Sequence, residues 1–170
     1  MLEYLFILCI NNNSESTNFF VRPPVTPIIF CAYSSVCDPS FQKPLLDRLK
    51  EFQAEGTRIF LTAKGYSCYD SEARMQELGY GDLFSGSLDD DQFGPRSRRN
   101  YWGPMSDRFG VPKNALIVID EDERIIRNAK EEGIHIVDAR IHSFIGENAE
   151  AQVKVICDSL SAAYKQVCSL

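Results

Sequence analysis

The sequence has no long basic run, no Cys-x-x-Cys pair and no apolar stretch long enough to cross a bilayer. Formal net charge is −6, which argues against a general nucleic-acid or anionic-membrane binder. Six cysteines (Cys9, Cys31, Cys37, Cys68, Cys157, Cys168) are scattered singly, so a zinc site lacks its usual spacing. Several lie in apolar segments, where a thiol packs as a small hydrophobe, and a reducing, cytoplasmic compartment is the simplest expectation. The even count leaves disulfides open. There are only two histidines, His135 in an apolar run and His142 in a polar one. Neither has a Cys, Asp or Ser at triad or metal-pair spacing, so both read as structural. Met1–Ile10 is apolar but too short for a span, and it lacks the basic start and small-residue cleavage site of a secretory signal. It reads as an extra strand or docked segment, with a surface anchor as the other option.

What is present is an ordinary globular composition: 170 residues, 44% hydrophobic and 25% charged. That length favours one domain, expected over 27–170 behind an N-terminal extension, 1–26. The extension ends in the polar Asn11–Asn18 and the stiff Arg22–Pro27. Its apolar pattern then alternates between two periods. Strands are expected at Ile28–Tyr33, Thr57–Thr62, Asp82–Leu88, Ala115–Ile119 and Ile134–Val137. Helices are expected from Ser40, as N-cap, to a stop at Gly56, and over Glu72–Leu78, Tyr101–Phe109 and Glu147–Val167. The pair Gly103-Pro104 warns that the third of these starts late. Ser34–Ser40, Ala63–Ser71, Gln92–Asn100 and Arg140–Gly146 read as connections. With no internal repeat or long linker, the pattern implies α/β architecture: a doubly wound, mainly parallel sheet with helices on both faces.

The most informative stretch is Ala115–Ala139, ALIVIDEDERIIRNAKEEGIHIVDA. A buried strand runs into Asp120, Glu121, Asp122 and Glu123, and an amphipathic helix and a second strand follow. Carboxylates at the carboxyl end of a buried strand stand where open α/β sheets bind ligands, and they could hold a hard cation such as Mg2+. Equally, they could cap the helix and favour its positive N-terminus. Asp89-Asp90-Asp91 reads as a solvated turn or a second acidic site. Tyr101 and Trp102, beside an arginine-rich loop, read either as a recognition surface or as a lid on the core.

From about Pro27 to Ala139 the chain resembles the haloacid dehalogenase-like (HAD) hydrolase superfamily. IVIDEDERIIRNAKEEGIHIV is similar to the family's last motif, and RIFLTAKG, ending its strand at Thr62, to the second. ELGYGDLFSGSL resembles the stretch that follows the second motif in many members. The third motif supplies a Lys or Arg before the helix that leads into the last strand, and Arg96, Arg98 and Arg99 lie in that window. The first motif departs. Where the family has an apolar strand followed by Asp-x-Asp, this sequence has Ile-Ile-Phe followed by Cys31 and Tyr33, then Ser34-Ser35 in place of Gly-Thr.

The resemblance implies a Rossmann-like, capless fold, since neither interval between motifs has room for a cap. Open sites in this family tend to serve large substrates, so a protein or other large partner is implied; charge and the short apolar runs already argue for no nucleic acid and no membrane span. By resemblance, Thr62 with Arg96, Arg98 and Arg99 would bind phosphate, Thr62 and Arg98 would act with Cys31 and Tyr33 as the degenerate catalytic set, and Asp120 and Asp122 would be the remaining metal ligands. Glu121 stands where a second Asp could. A phospho-aspartyl route needs a carboxylate nucleophile, usually also a Mg2+ ligand. A thiol suits Mg2+ poorly, and a phenol with a reference pKa of about 10 is a poor proton shuttle near neutrality. Taking Asp38 as nucleophile would place it well beyond the strand. The cysteine-phosphatase spacing, Cys followed by five residues and Arg, is missing from Cys31 and Cys37, so Cys31 reads as a buried, inert thiol. The expected function is a pseudoenzyme binding or regulatory module without ordinary phosphatase activity and with no cofactor or only weak Mg2+. Its rivals are a Mg-dependent phosphohydrolase with a rearranged site, and an anion- or nucleotide-binding α/β protein.

Overall fold

The computed structural model describes residues 25–37, 39–63, 68–89, 94–140 and 149–170. Met1–Ile10, Asp38, Asp90, Asp91 and His142 lie outside them. In chain order the elements are β1 (Ile28–Ala32), α1 (Tyr33–Val36), α2 (Pro39–Ala54), β2 (Arg58–Ala63), α3 (Cys68–Glu77), β3 (Ser87–Asp89), α4 (Trp102–Phe109), β4 (Leu116–Asp120), α5 (Glu123–Glu131), β5 (His135–Asp138) and α6 (Ala149–Cys168). Short 3-10 turns at Gly81–Leu83 and Lys113–Ala115 precede β3 and β4.

The five strands form a parallel sheet of order β3-β2-β1-β4-β5. Side chains alternate along a strand, so β1 and β4 feed two separate cores. Ile29, Cys31, Ile117 and Ile119 pack with Leu45, Leu49, Val153 and Leu160 of α2 and α6. Ile28, Phe30, Leu116 and Val118 pack with Trp102, Met105, Ile125 and Ala129 of α4 and α5. Every residue of both strands is buried, which explains their unbroken apolar runs. Stacking of Phe52 on Tyr164 at 3.9 Å and the 3.0 Å bond between Thr57 and the Tyr164 hydroxyl tie α2 to α6. The chain leaves β1 toward β2 and later crosses back to β4. The topological switch point, where such sheets bind ligands, therefore lies at the carboxyl ends of β1 and β4.

Several boundaries differ from the sequence expectation. Tyr33 leaves the strand and opens a helical turn, closed by the Cys37 N–H on the Tyr33 carbonyl at 2.9 Å. Helix α2 starts at Pro39, ahead of the expected Ser40 cap, since proline has no N–H to leave unpaired in a first turn. Helix α3 begins at Cys68, with Asp70 in its first turn complementing the positive end of the helix. The expected strand Asp82–Leu88 shrinks to Ser87–Asp89, because Gly81–Leu83 turns and Gly86 takes a φ of 148°, outside strand geometry. Helix α4 does not start late. Pro104 falls in its first turn, and Glu132 accepts from the Trp102 and Gly103 N–H groups at 3.4 and 3.2 Å while pairing with Lys113 at 2.9 Å. The expected last helix, Glu147–Val167, is described from Ala149 to Cys168. No helix among the described residues is long and apolar enough to cross a membrane.

Candidate functional site

Strand β2 pairs with β1 so that Thr62 lies beside Ala32 and Leu61 beside Cys31. Neighbours in a parallel sheet point to the same face. Cys31 therefore turns toward the α2–α6 core, and Ala32 shares a level and a face with Thr62. No residue of β1 carries a carboxylate.

The centre of the site is a guanidinium. Arg96 Nη1 donates to Thr62 Oγ1 at 2.6 Å and to Asp120 Oδ2 at 2.6 Å. All three side chains are buried, those of Arg96 and Asp120 being 3% and 2% exposed. The second oxygen of Asp120, Oδ1, accepts the Asp122 N–H at 2.9 Å. The four acidic residues from the end of β4 onward thus divide their work. Asp120 pairs with Arg96. Glu121 reaches over to accept the Ser34 hydroxyl and, at 3.0 Å, the Ser35 hydroxyl. Asp122 is the N-cap of α5, accepting the Arg124 N–H at 2.9 Å, and Glu123 opens the helix. The two readings of this acidic turn apply to different residues, since capping falls to Asp122 and not to Asp120.

Of the three candidate arginines, only Arg96 is turned inward, and Arg98 and Arg99 are exposed. The selection is made by Asn128, which had no role in the sequence reading. Its Nδ2 donates to the carbonyls of Arg96 at 3.2 Å and Arg98 at 2.7 Å, pinning the loop to α5. A polar residue beside Ala129 on the helix's inward stripe, three positions after Ile125, was the available signal. Trp102 and Tyr101 do not form a recognition surface. Both are buried, and Trp102 packs on Phe30 with ring centroids 5.5 Å apart, as a lid on the core. Tyr33 is half-buried against the α2–α6 core. His135 and Asp89 are half-buried at opposite edges of the sheet.

Burial sets the chemistry. It pushes the Cys31 thiol up, Asp120 and Glu121 add to the rise, and Arg96 opposes it. Cys31 is therefore a neutral thiol at physiological pH. In the native protein, N-ethylmaleimide should label the exposed Cys37 and Cys168 and leave Cys31 unmodified until unfolding, read by peptide mass spectrometry. Native labelling of Cys31 at the rate of Cys37 would contradict this environment.

Burial also pushes the Asp120 carboxyl up to about 6, against the Arg96 guanidinium and the Asp122 N–H, while Glu121 and the Asp122 carboxylate add to the rise. That value lies above the roughly 3.9 of an unfolded chain. Asp120's protonation-linked stability is therefore complete below about pH 4 and lost as pH rises through about 6. Relative to D120N, the wild type should lose roughly 2 to 3 kcal/mol across that interval, measured by urea unfolding. A relative stability that rises with pH would reverse the assignment.

For Mg2+ the donor set does not fit. A hard cation needs several oxygens with free lone pairs, usually from more than one carboxylate. Among the described residues, Asp120 is the one buried carboxylate here and both its oxygens are engaged; Glu121 and Asp122 are turned to Ser34, Ser35 and the start of α5, and Arg96 already supplies a cation. No cluster of three or more His, Cys, Asp or Glu suited to a metal occurs among the described residues.

No family model and no curated protein matches the sequence. Solved structures do. A protein of unassigned function from Corynebacterium glutamicum is 16% identical with a TM-score of 0.55, over 78% of this chain and 96% of its own. The core domain of a protein described as a phosphoglycolate phosphatase from Streptococcus pneumoniae is 12% identical with a TM-score of 0.53, over 71% of this chain and 85% of its own. At these identities the likeness concerns the fold. The chain is a Rossmann-like parallel α/β protein with its candidate site at the switch point. It shares that fold with these two structures, and the alternation of strands and helices in the sequence had implied this doubly wound architecture.

Proposed function

We propose that the protein is a HAD-like binding or regulatory module that has lost ordinary phosphatase turnover and binds Mg2+ weakly or not at all. One observation carries the reading: the end of β1 offers Cys31, Ala32 and Tyr33 where a nucleophile and a general acid would stand, and the one buried carboxylate there among the described residues, Asp120, is already paired with Arg96. Loss of a nucleophile removes many orders of magnitude of rate where site residues act as a unit. The buried, neutral thiol of Cys31 supplies no substitute.

A protein or other large partner suits this module better than a small metabolite. Between β1 and β2 the chain has only α1 and α2, leaving no length for a cap. Among the described residues, Cys31, Cys157 and Cys168 form no disulfide, which agrees with a cytoplasmic setting.

The test is an assay of the purified full chain with p-nitrophenyl phosphate and Mg2+, beside a T62A/D120N double variant. The two should give the same background. Robust turnover by the wild type, abolished in the double variant, would restore the phosphohydrolase reading.

A further inference from the structure

We infer that Arg96 is a resident counter-ion, holding the place beside Asp120 that a divalent cation would otherwise take. The inference rests on the pseudoenzyme reading and says how the vacated pocket is kept stable.

A buried carboxylate must be neutralised by a proton, a metal or a cationic side chain. Asp120 has its cation built in, a guanidinium at 2.6 Å. Arginine suits this place because it stays charged when buried and is weakly hydrated. Among the described residues, Arg96 and Asp120 are the two fully buried charges and they balance each other, so a divalent cation placed between them would add uncompensated charge. Neighbouring acids do not supply the deficit. Glu121 is engaged by Ser34 and Ser35. Asp138, level with Asp120 on β5, forms its own 2.6 Å pair with Arg140. Nor does the guanidinium sit on a loose tether. Asn128 fixes the main chain on both sides of Ser97, and it belongs to a helix whose Ile125 and Ala129 are locked in the core. Asn128 is thus a positioning residue for the counter-ion.

Thermal unfolding of the full chain tests this, comparing wild type, R96M and R96M/D120N with and without Mg2+ or Ca2+ at matched ionic strength. Methionine keeps an unbranched apolar stem and removes the charge. The wild-type Tm should not move. The R96M variant should gain roughly 3 to 6 °C when the cation is present at about ten times its Kd. The double variant, which lacks the carboxylate charge, should gain nothing. If R96M is isolated unfolded, recovery of its helical circular dichroism when the cation is added reads the same dependence. A wild-type shift equal to that of R96M, or an R96M protein that neither gains Tm nor refolds with cation, would overturn the inference. Cation binding by wild type without turnover defeats the counter-ion alone, whereas turnover of p-nitrophenyl phosphate defeats the pseudoenzyme reading itself.

Discussion

Replacing Arg96 with methionine should cost about 3 to 5 kcal/mol of stability at neutral pH, the range for removing one partner of a buried ion pair. The loss comes less from the missing attraction than from what stays behind. Asp120 would remain buried, with one oxygen on the Asp122 N–H and the other without its 2.6 Å donor. Thr62 would lose the same donor. Two companion measurements separate this mechanism from a simple packing defect. Adding D120N to R96M should return part of the loss, since the charge that needed a partner is gone. Lowering the pH should also narrow the gap to wild type, because Asp120 then takes up a proton. Urea unfolding at neutral and acidic pH reads both effects. A loss below about 0.5 kcal/mol would mean that the pair makes no more difference than a surface contact.

The second large effect is expected at Trp102. Truncation to alanine should cost about 3 to 5 kcal/mol, the range for deleting a buried Trp or Phe side chain. The indole is completely buried and contacts the Phe30 and Tyr101 rings, with centroids 5.5 and 4.9 Å away. Phe30 in turn meets Phe60 and Phe109, so the cavity would open inside an aromatic cluster that joins β1, β2 and α4. Trp102→Phe fills most of that volume and should lose much less. Because Trp102 is the only tryptophan, unfolding of both variants is best followed by circular dichroism. A cost below about 1 kcal/mol for the alanine variant would place Trp102 at the surface, as the recognition reading had it.

How much of this could be read from residue order depends on the range of the forces involved. The buried strands Leu116–Asp120 and Ile28–Ala32 were legible because burial on both faces leaves an unbroken apolar run. Helix α5 was legible because Ile125, Ile126 and Ala129 mark one side of it. The extent of α4 was legible to within one residue, but the reason Gly103-Pro104 does not delay it was not, since Glu132, which receives its first N–H groups, is thirty residues from Trp102 in sequence and supplied through space. The same limit applied at the site. Sequence order placed Arg96, Arg98 and Arg99 in one window, but a contact from Asn128, thirty-two residues after Arg96, decides which of them turns inward. Likewise, four adjacent acids gave one pattern with two readings. Only their three-dimensional neighbours (Arg96, Ser34 with Ser35, and the α5 N-terminus) assign them separate roles.

The most direct measurement is a crystal structure of the full chain grown or soaked with Mg2+ and a phosphate mimic. Arg96 should still bridge Thr62 and Asp120, with neither a cation on Asp120 nor the mimic beside Cys31. Arg96 swung out, a cation on the Asp120 carboxylate and a phosphate mimic on Thr62 would contradict it.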